Sequence, residues 1–310
     1  MRLRWLILAA GGLLAVKGDP PPAAPPSPDD LYRVGQQLFD QYAPPEVKAQ
    51  VEFPSKSDWD DFAARLQRAL DNNSLGELAA FAPEARQALA ALRVLPGYED
   101  YADWLALRID EMEAAAQTGK PNGPRAAPAP SPLATSRIPY YDLWVARVRD
   151  RPMPENASTL MPRLRSAFIA EGVPPELAWL AEAESSLNPT ARSPAGARGL
   201  FQFTPETAKS VGLRSFLPDE RTDPEDSARA AARLLRSLYR RFGSWPLALA
   251  AYNGGAGRVN RLLASRAATS FAGVASALPA ETRMYVPKVL ALVALRTGVA
   301  PDRIPAPGAL

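Results

Sequence analysis

The helical spacing of apolar residues in the second half of the chain constrains the fold most strongly. Between Asp223 and Gly243 an apolar stripe is formed by Ala231, Leu234, Leu235, Leu238 and Phe242. At 3.6 residues per turn these side chains share one face of a helix. Asp223 followed by Pro224 predicts the start of that helix, and Gly243 predicts its end. Because neighbouring segments repeat this pattern, the sequence predicts an all-α fold.

Another apolar stripe carries a carboxylate. Leu177, Leu180, Ala181 and Glu184 stand at i, i+3, i+4 and i+7, so Glu184 should face inward and Glu182 should point away. A partly dry cleft disfavours the charged form of a carboxyl group and raises its pKa, which allows it to act as a general acid near neutral pH. The alternative is a glutamate that is solvated or paired with an arginine.

The composition excludes several kinds of catalytic site. The 310 residues contain no His and no Cys. Catalytic triads built on histidine, cysteine nucleophiles and metal sites with His or Cys ligands are therefore unavailable. Carboxylates must carry any acid-base chemistry.

A helix that opens at Ser244-Trp245-Pro246 is predicted to run to Tyr252 and to break at Asn253-Gly254-Gly255. Glycine at such a break permits a ligand to approach the backbone closely. The alternative is a capped helix end with a buried tyrosine. Two interpretations also exist for Gly196, Gly199 and Gln202. They either line a ligand groove, or the glycines are ordinary turn residues and Gln202 is an ordinary polar side chain.

Four short motifs occur in a fixed order. They are Glu184-Ser185-Ser186-Leu187-Asn188-Pro189, then Ser193-Pro194-Ala195-Gly196 with Gly199-Leu200-Phe201-Gln202, then Ala251-Tyr252-Asn253, and finally Glu281-Thr282-Arg283 through Tyr285-Val286. In these motifs the chain from Ile138 to about Arg296 resembles the family 1 lytic transglycosylases, and within them the membrane-bound type D branch. These lysozyme-like enzymes cleave the glycan strands of peptidoglycan. Thr204 is a departure, because relatives more often carry Met there.

The resemblance implies a lysozyme-like, all-α catalytic domain with Glu184 as the catalytic residue. It implies substrate-binding roles for Ser193, Gln202, Tyr252, Asn253 and Glu281. Tyr252 is the candidate to position Glu184 or the acetamido carbonyl of the sugar. For Glu281 the alternative is a structural salt bridge to Arg283 or to another arginine. No cofactor and no metal are implied.

The implied reaction cleaves the β-1,4 bond between N-acetylmuramic acid and N-acetylglucosamine without water and leaves 1,6-anhydro ends. A hydrolytic lysozyme similar to the goose type and a peptidoglycan-binding module without catalysis are the alternatives. The implied partner is the glycan strand, with cell-wall synthesis or secretion complexes as further candidates. A net charge of +3 permits approach to an anionic wall polymer, and the spread arginines do not predict nucleic-acid binding.

Composition divides the chain into five parts. Residues 1–18 read as a signal peptide or N-terminal anchor and 19–28 as a Pro-rich linker. A helical accessory region is predicted over 29–118, a Pro/Ala-rich linker over 119–137, and the catalytic domain over 138–310. The protein is therefore expected to be exported, periplasmic or attached to the cell envelope. A fragment that begins near Ile138 is expected to fold and to keep some lytic activity.

Overall fold

The computed structural model describes residues 73–93, 99–118, 138–193 and 196–308, and scattered positions between 36 and 65. The predicted signal or anchor segment 1–18 and both predicted linkers, 19–28 and 119–137, lie outside the described residues. Pro194 and Ala195 of the second motif also lie outside them.

The regular elements in the described part are helices. The first four are α1 (Leu75–Ala80), α2 (Ala82–Leu92), α3 (Glu99–Thr118) and α4 (Tyr141–Val148). Then come α5 (Ala157–Ala170), a 3₁₀ helix (Pro175–Trp179), α6 (Leu180–Ser185), α7 (Pro205–Ser210) and a 3₁₀ helix (Glu220–Thr222). The last are α8 (Pro224–Phe242), α9 (Trp245–Gly254), α10 (Ala256–Ser265), α11 (Phe271–Ala275), α12 (Ala280–Thr297) and a 3₁₀ helix (Pro301–Arg303). The all-α prediction is confirmed.

Capping explains the bounds of α8. The Asp223 side chain accepts hydrogen bonds from the backbone N–H groups of Glu225 and Asp226 at the start of the helix. At its end Gly243 adopts a left-handed φ of 70° and donates to the Tyr239 carbonyl. Both predicted ends of this helix are confirmed.

Helix α12 lies at the centre of the fold. It is buried from Ala280 to Ala294 apart from Glu281, and it contacts α3, α4, α6 and α9. A helix that is apolar almost all round is stable only inside a core. None of the helices in the described part combines the length and hydrophobicity that crossing a bilayer requires.

Helix α3 joins the accessory region to the rest of the core. It packs against α1 on one side and against α6 and α12 on the other. Arg147 on α4 donates to Asp110 and Glu113 of α3, each at 2.6 Å. The buried apolar residues of both regions form one continuous cluster. The division at 119–137 stays a prediction, but the two regions are not independent in their packing.

Candidate active site

Glu184 lies in the last turn of the short helix α6. Leu177, Leu180 and Ala181 on the predicted stripe are fully buried, although Leu177 belongs to the preceding 3₁₀ helix. The helix ends early because Ser186 and Leu187 both take left-handed backbone conformations. The Glu184 side chain faces inward, as predicted, and the residue is 6% exposed.

The prediction that Glu182 points away from the protein is wrong. This residue is 2% exposed, and its carboxylate accepts hydrogen bonds from Arg296 at 2.7 and 2.8 Å. The opposite face of α6 is covered by the end of α12, so both faces of the helix are buried. A paired arginine is what makes burial of that second carboxylate tolerable.

The surroundings of Glu184 favour its protonated form. Burial raises the pKa of Glu184 to about 7, against the hydrogen bond from Tyr285 and the positive charges of Arg108 and Lys288, which lower it. The Tyr285 hydroxyl donates to Glu184 Oε1 at 2.5 Å. The sequence-based expectation of a raised pKa is confirmed, and the carboxyl can both give and take a proton near neutral pH.

Tyr285 donates the hydrogen bond to Glu184, whereas the sequence made Tyr252 the candidate to position either Glu184 or the acetamido carbonyl of the sugar. The acetamido role of Tyr252 stays a prediction. The Tyr252 hydroxyl instead donates to the Phe201 carbonyl at 2.8 Å, and its ring packs near Phe203. Burial and the negative charge of Glu184 raise the pKa of Tyr252, so this hydroxyl stays protonated beside the acid. A tyrosine buried on α12 needs a partner for its hydroxyl, and that requirement was the available signal for Tyr285.

Ser193 and Gln202 stabilise the glycine-containing loop. Ser193 Oγ accepts from the Ala197 N–H at 3.1 Å, and Gln202 Nε2 donates to the carbonyls of Gly199 and Ala191. Gln202 Oε1 is buried and has no hydrogen-bond partner in the described part of the chain. The loop therefore presents one acceptor whose capacity is unused.

Gly199 is required by close packing in this loop. Its φ is +77°, and a Cβ there would lie 1.9 Å from the carbonyl oxygen of Arg221. The Arg221 guanidinium in turn donates to the carbonyls of Gly196 and Phe203. The turn conformation and the close approach to Arg221 are thus enough to explain why glycine stands at position 199.

Asn253 on α9 and Glu281 on α12 contact each other. Asn253 Nδ2 donates to Glu281 Oε1 at 3.3 Å, and Asn253 Oδ1 accepts from Thr282 at 2.7 Å. Glu281 also pairs with Arg108 of α3 at 2.7 Å, so the salt-bridge alternative holds for this residue with a partner outside the motifs. Arg283 instead donates to three backbone carbonyls, among them that of Leu278.

The geometry thus brings two groups of predicted residues together. The charge of Glu184 acts on both Tyr252 and Tyr285, and Asn253 donates a hydrogen bond to Glu281. Ser193 and Gln202 contact the loop backbone, and no contact with Glu184 is observed for either among the described residues. No three or more acidic side chains in this part of the chain are arranged to hold a metal ion.

We expect Tyr285→Phe to lower the rate of a reaction that uses Glu184 as its acid about tenfold to a hundredfold, the value of one hydrogen bond to a charged group. The hydroxyl stabilises ionised Glu184, so its loss raises the pKa of Glu184 and moves the decline in activity to higher pH. A pH profile of the rate measures both effects. Tyr239→Phe is the control, because Tyr239 packs against Trp245. An unchanged profile for Tyr285→Phe would contradict this role.

Comparison with known proteins supports the resemblance. A family model described as the transglycosylase SLT domain matches residues 167–273. The chain is 40% identical over 126 residues to membrane-bound lytic murein transglycosylase D of Escherichia coli, covering 39% of this chain and 27% of that protein. It is 38% identical over 120 residues to the soluble lytic murein transglycosylase of Salmonella typhimurium, covering 36% and 19%. The matched part is a minor share of both relatives.

Among solved structures, the soluble lytic transglycosylase of Escherichia coli aligns with 89% of this chain and 58% of its own. The identity is 19% and the TM-score is 0.41. The sequence matches confirm the resemblance to lytic transglycosylases that the four motifs indicated.

Proposed function

We propose that this protein is a peptidoglycan lytic transglycosylase in which Glu184 is both the acid and the base. One observation carries the proposal: Glu184 is buried, has a pKa of about 7 and forms no ion pair among the described residues. Glu111, the carboxylate whose charge acts on Glu184, is paired with Arg108 and Lys288, and Glu281 is paired with Arg108. A single carboxyl is thus left to exchange a proton.

The first step is protonation of the leaving group. Glu184 donates its proton to the oxygen that links N-acetylmuramic acid to N-acetylglucosamine, and the bond from C1 to that oxygen breaks. The 2-acetamido group stabilises the positive charge that develops at C1. A pKa of about 7 means that a substantial fraction of the enzyme carries this proton near neutral pH.

The second step uses the carboxylate that the first step leaves. Glu184 accepts the proton of the muramoyl 6-hydroxyl as O6 bonds to C1, so a 1,6-anhydro ring forms and no water is consumed. Tyr285, which donates to Glu184 Oε1, stabilises the ionised carboxylate between the two steps. Because O6 is tethered to the reacting ring, it has an effective concentration that water lacks, up to about 10⁵ M or more.

The remaining candidates are proposed as groove residues. Asn253 and Glu281 form a polar pair, and Glu281 is bound to Arg108, whose charge acts on Glu184. Gln202 Oε1 is a buried acceptor without a partner in the described part. The Tyr252 hydroxyl donates a hydrogen bond to the Phe201 carbonyl, and we expect this tyrosine to line the groove. Two similar proteins are named membrane-bound lytic murein transglycosylase D and soluble lytic murein transglycosylase, and these names support a murein substrate.

Because peptidoglycan lies outside the cytoplasm, the proposal includes export to the cell envelope, with residues 1–18 as the export signal or anchor. Glycan strands are the proposed partner. Cell-wall synthesis or secretion complexes are the proposed further partners, because cleaving strands must be coordinated with building or crossing the wall.

Digestion of purified sacculi tests the function. We expect the purified protein to release soluble muropeptides that end in 1,6-anhydromuramic acid, identified by mass spectrometry. Reducing ends would favour the lysozyme alternative. Binding to sacculi without release, over a range of pH and salt, would favour the binding module.

A further inference from the structure

Helix α3 reaches the candidate site from outside the matched segment 167–273. Arg108 on this helix donates to Glu281 Oε1 at 2.7 Å and to Glu111 Oε2 at 2.9 Å. Its side chain is 13% exposed, and its guanidinium lies 6.0 Å from the centre of the Trp104 ring. An arginine fixed by two carboxylates and an aromatic face has little freedom to move.

A buried lysine continues this network. Lys288 is fully buried and donates to Glu111 Oε1 at 3.0 Å and to the Leu107 carbonyl at 3.3 Å. Its ammonium also lies 5.7 Å from the centre of the Trp144 ring. Charges removed from water are tolerated only when paired, so Arg108, Glu111, Lys288 and Glu281 depend on one another.

The start of α3 is fixed to the segment that follows Glu184. Asp100 accepts hydrogen bonds from Asn188 Nδ2 at 2.9 Å and from Thr190 Oγ1 at 3.2 Å. Asn188 belongs to the same motif as Glu184. One helix of the accessory region therefore contacts both chain segments that carry the site, the first through Asp100 and the second through Arg108.

We propose that Arg108 is a positioning residue of this site, so that the accessory region completes the catalytic groove. The guanidinium acts through Glu281, which it holds beside Asn253, and through its positive charge, which acts on Glu184. The measurements of rate and KM that test this inference rest on the proposed function. A titration of the Glu184 carboxyl does not depend on that function.

The groups that act on Glu184 set the direction of the test. From α12 they are Tyr285 and Lys288, from α3 Arg108 and Glu111, and from α9 Tyr252. Arg108 and Lys288 lower the pKa of Glu184, and Glu111 raises it. Removal of Arg108 deletes one positive charge and leaves Glu111 and Glu281 less neutralised, so both effects raise the pKa.

The experiment measures Arg108→Gln in the full chain. We expect the pH at which the lytic rate falls by half on the alkaline side to rise by about one unit. We expect KM for sacculi to rise about tenfold because Glu281 loses its anchor. NMR of protein labelled with ¹³C at the glutamate carboxyls measures the pKa directly. The resonance that is absent in Glu184→Gln belongs to Glu184, and its titration midpoint should rise by the same amount in Arg108→Gln.

Two variants separate charge from packing. Arg108→Lys keeps the charge, so the midpoint should stay near that of the wild type, but KM should still rise because an ammonium lacks the planar fork. Arg147→Gln loosens the same helix by removing the contacts to Asp110 and Glu113, and should lower thermal stability while the midpoint stays unchanged.

An unshifted Glu184 midpoint in folded Arg108→Gln would overturn the inference, as would an equal shift in Arg147→Gln. If Arg108→Gln does not fold, Arg108→Lys decides: a raised KM with an unchanged midpoint supports the inference, and an unchanged KM overturns it. If the wild type releases nothing from sacculi, the proposed function fails, and the carboxyl titration alone decides whether Arg108 acts on Glu184.

Discussion

Glu184→Gln should reduce release from sacculi about a thousandfold or more, because the variant can neither donate nor accept the proton. Gln has the shape of Glu, and its amide oxygen can still accept the hydrogen bond from Tyr285. The variant should therefore fold and bind sacculi normally. Muropeptide release and pelleting with sacculi, measured side by side, separate lost chemistry from lost binding.

The same variant should alter how stability depends on pH. The pKa of Glu184 is about 7 in the folded chain against an ordinary 4.5. When folding raises the pKa of a carboxyl group, the protein loses folding stability as pH rises from the unfolded pKa through the folded pKa. For Glu184 this loss of unfolding free energy is about 3 kcal/mol in total. Glu184→Gln cannot ionise and should escape this loss, so its advantage in thermal unfolding temperature should grow from pH 5 to pH 8.

Glu206→Gln is the matched control, because Glu206 is an exposed glutamate of α7. Glu182 is unsuitable as a control, since its buried ion pair with Arg296 makes its replacement a test of stability. Activity of Glu184→Gln within a few-fold of the wild type would rule out Glu184 as the acid.

The second large effect concerns a fragment that begins at Ile138. The folding of this fragment stays a prediction, and the contacts of α3 with α6 and α12 argue against it. Without the accessory region, Lys288 loses both of its hydrogen-bond partners, the Glu111 carboxylate and the Leu107 carbonyl, and Arg283 loses the Asn73 carbonyl. The faces of α6 and α12 that pack against α3 would also be exposed to water, which costs about 1.5–3 kcal/mol for each large apolar side chain uncovered, a large part of the stability of an ordinary domain.

We therefore expect the fragment from Ile138 to unfold cooperatively only at a much lower temperature than the full chain, or to aggregate. Circular dichroism during heating measures this, with a fragment that begins at Asp29 as the control that keeps α3. A short fragment that melts within a few degrees of the full chain would show that α3 adds little.

Sequence reasoning succeeded where the determining interactions are local. The ends of α8 depend on Asp223 and Gly243, which act within one turn of the chain. The inward direction of Glu184 follows from the stripe on its own helix. Such features can be read without knowledge of what packs against the helix.

It failed where a distant partner decides. Glu182 can be buried because Arg296, 114 positions later in the chain, pairs with its carboxylate. The sequence of α6 alone does not show that α12 covers its second face. Helix α9 extends past the predicted last residue Tyr252 and ends at Gly254, inside the predicted break Asn253-Gly254-Gly255, and a Cβ at Gly254 would meet Thr282 at 2.8 Å. Arg108 and Glu281 are 173 positions apart, and no motif joins them.

The hydrogen bond from Tyr285 to Glu184 could not be predicted for the same reason. Both Tyr252 and Tyr285 belong to the motifs, and both lie in the electrostatic environment of Glu184. Which hydroxyl reaches the carboxylate depends on how α9 and α12 pack together, which the spacing within either helix does not specify.

Digestion of sacculi in heavy-oxygen water tests the central claim most directly. If Glu184 activates the muramoyl 6-hydroxyl, the released muropeptides should end in 1,6-anhydromuramic acid, lighter by one water molecule than hydrolysed ends, and should carry no heavy oxygen. Released products with labelled reducing ends would show that water is the nucleophile, and would contradict the account of Glu184 as an acid and base in a reaction that consumes no water.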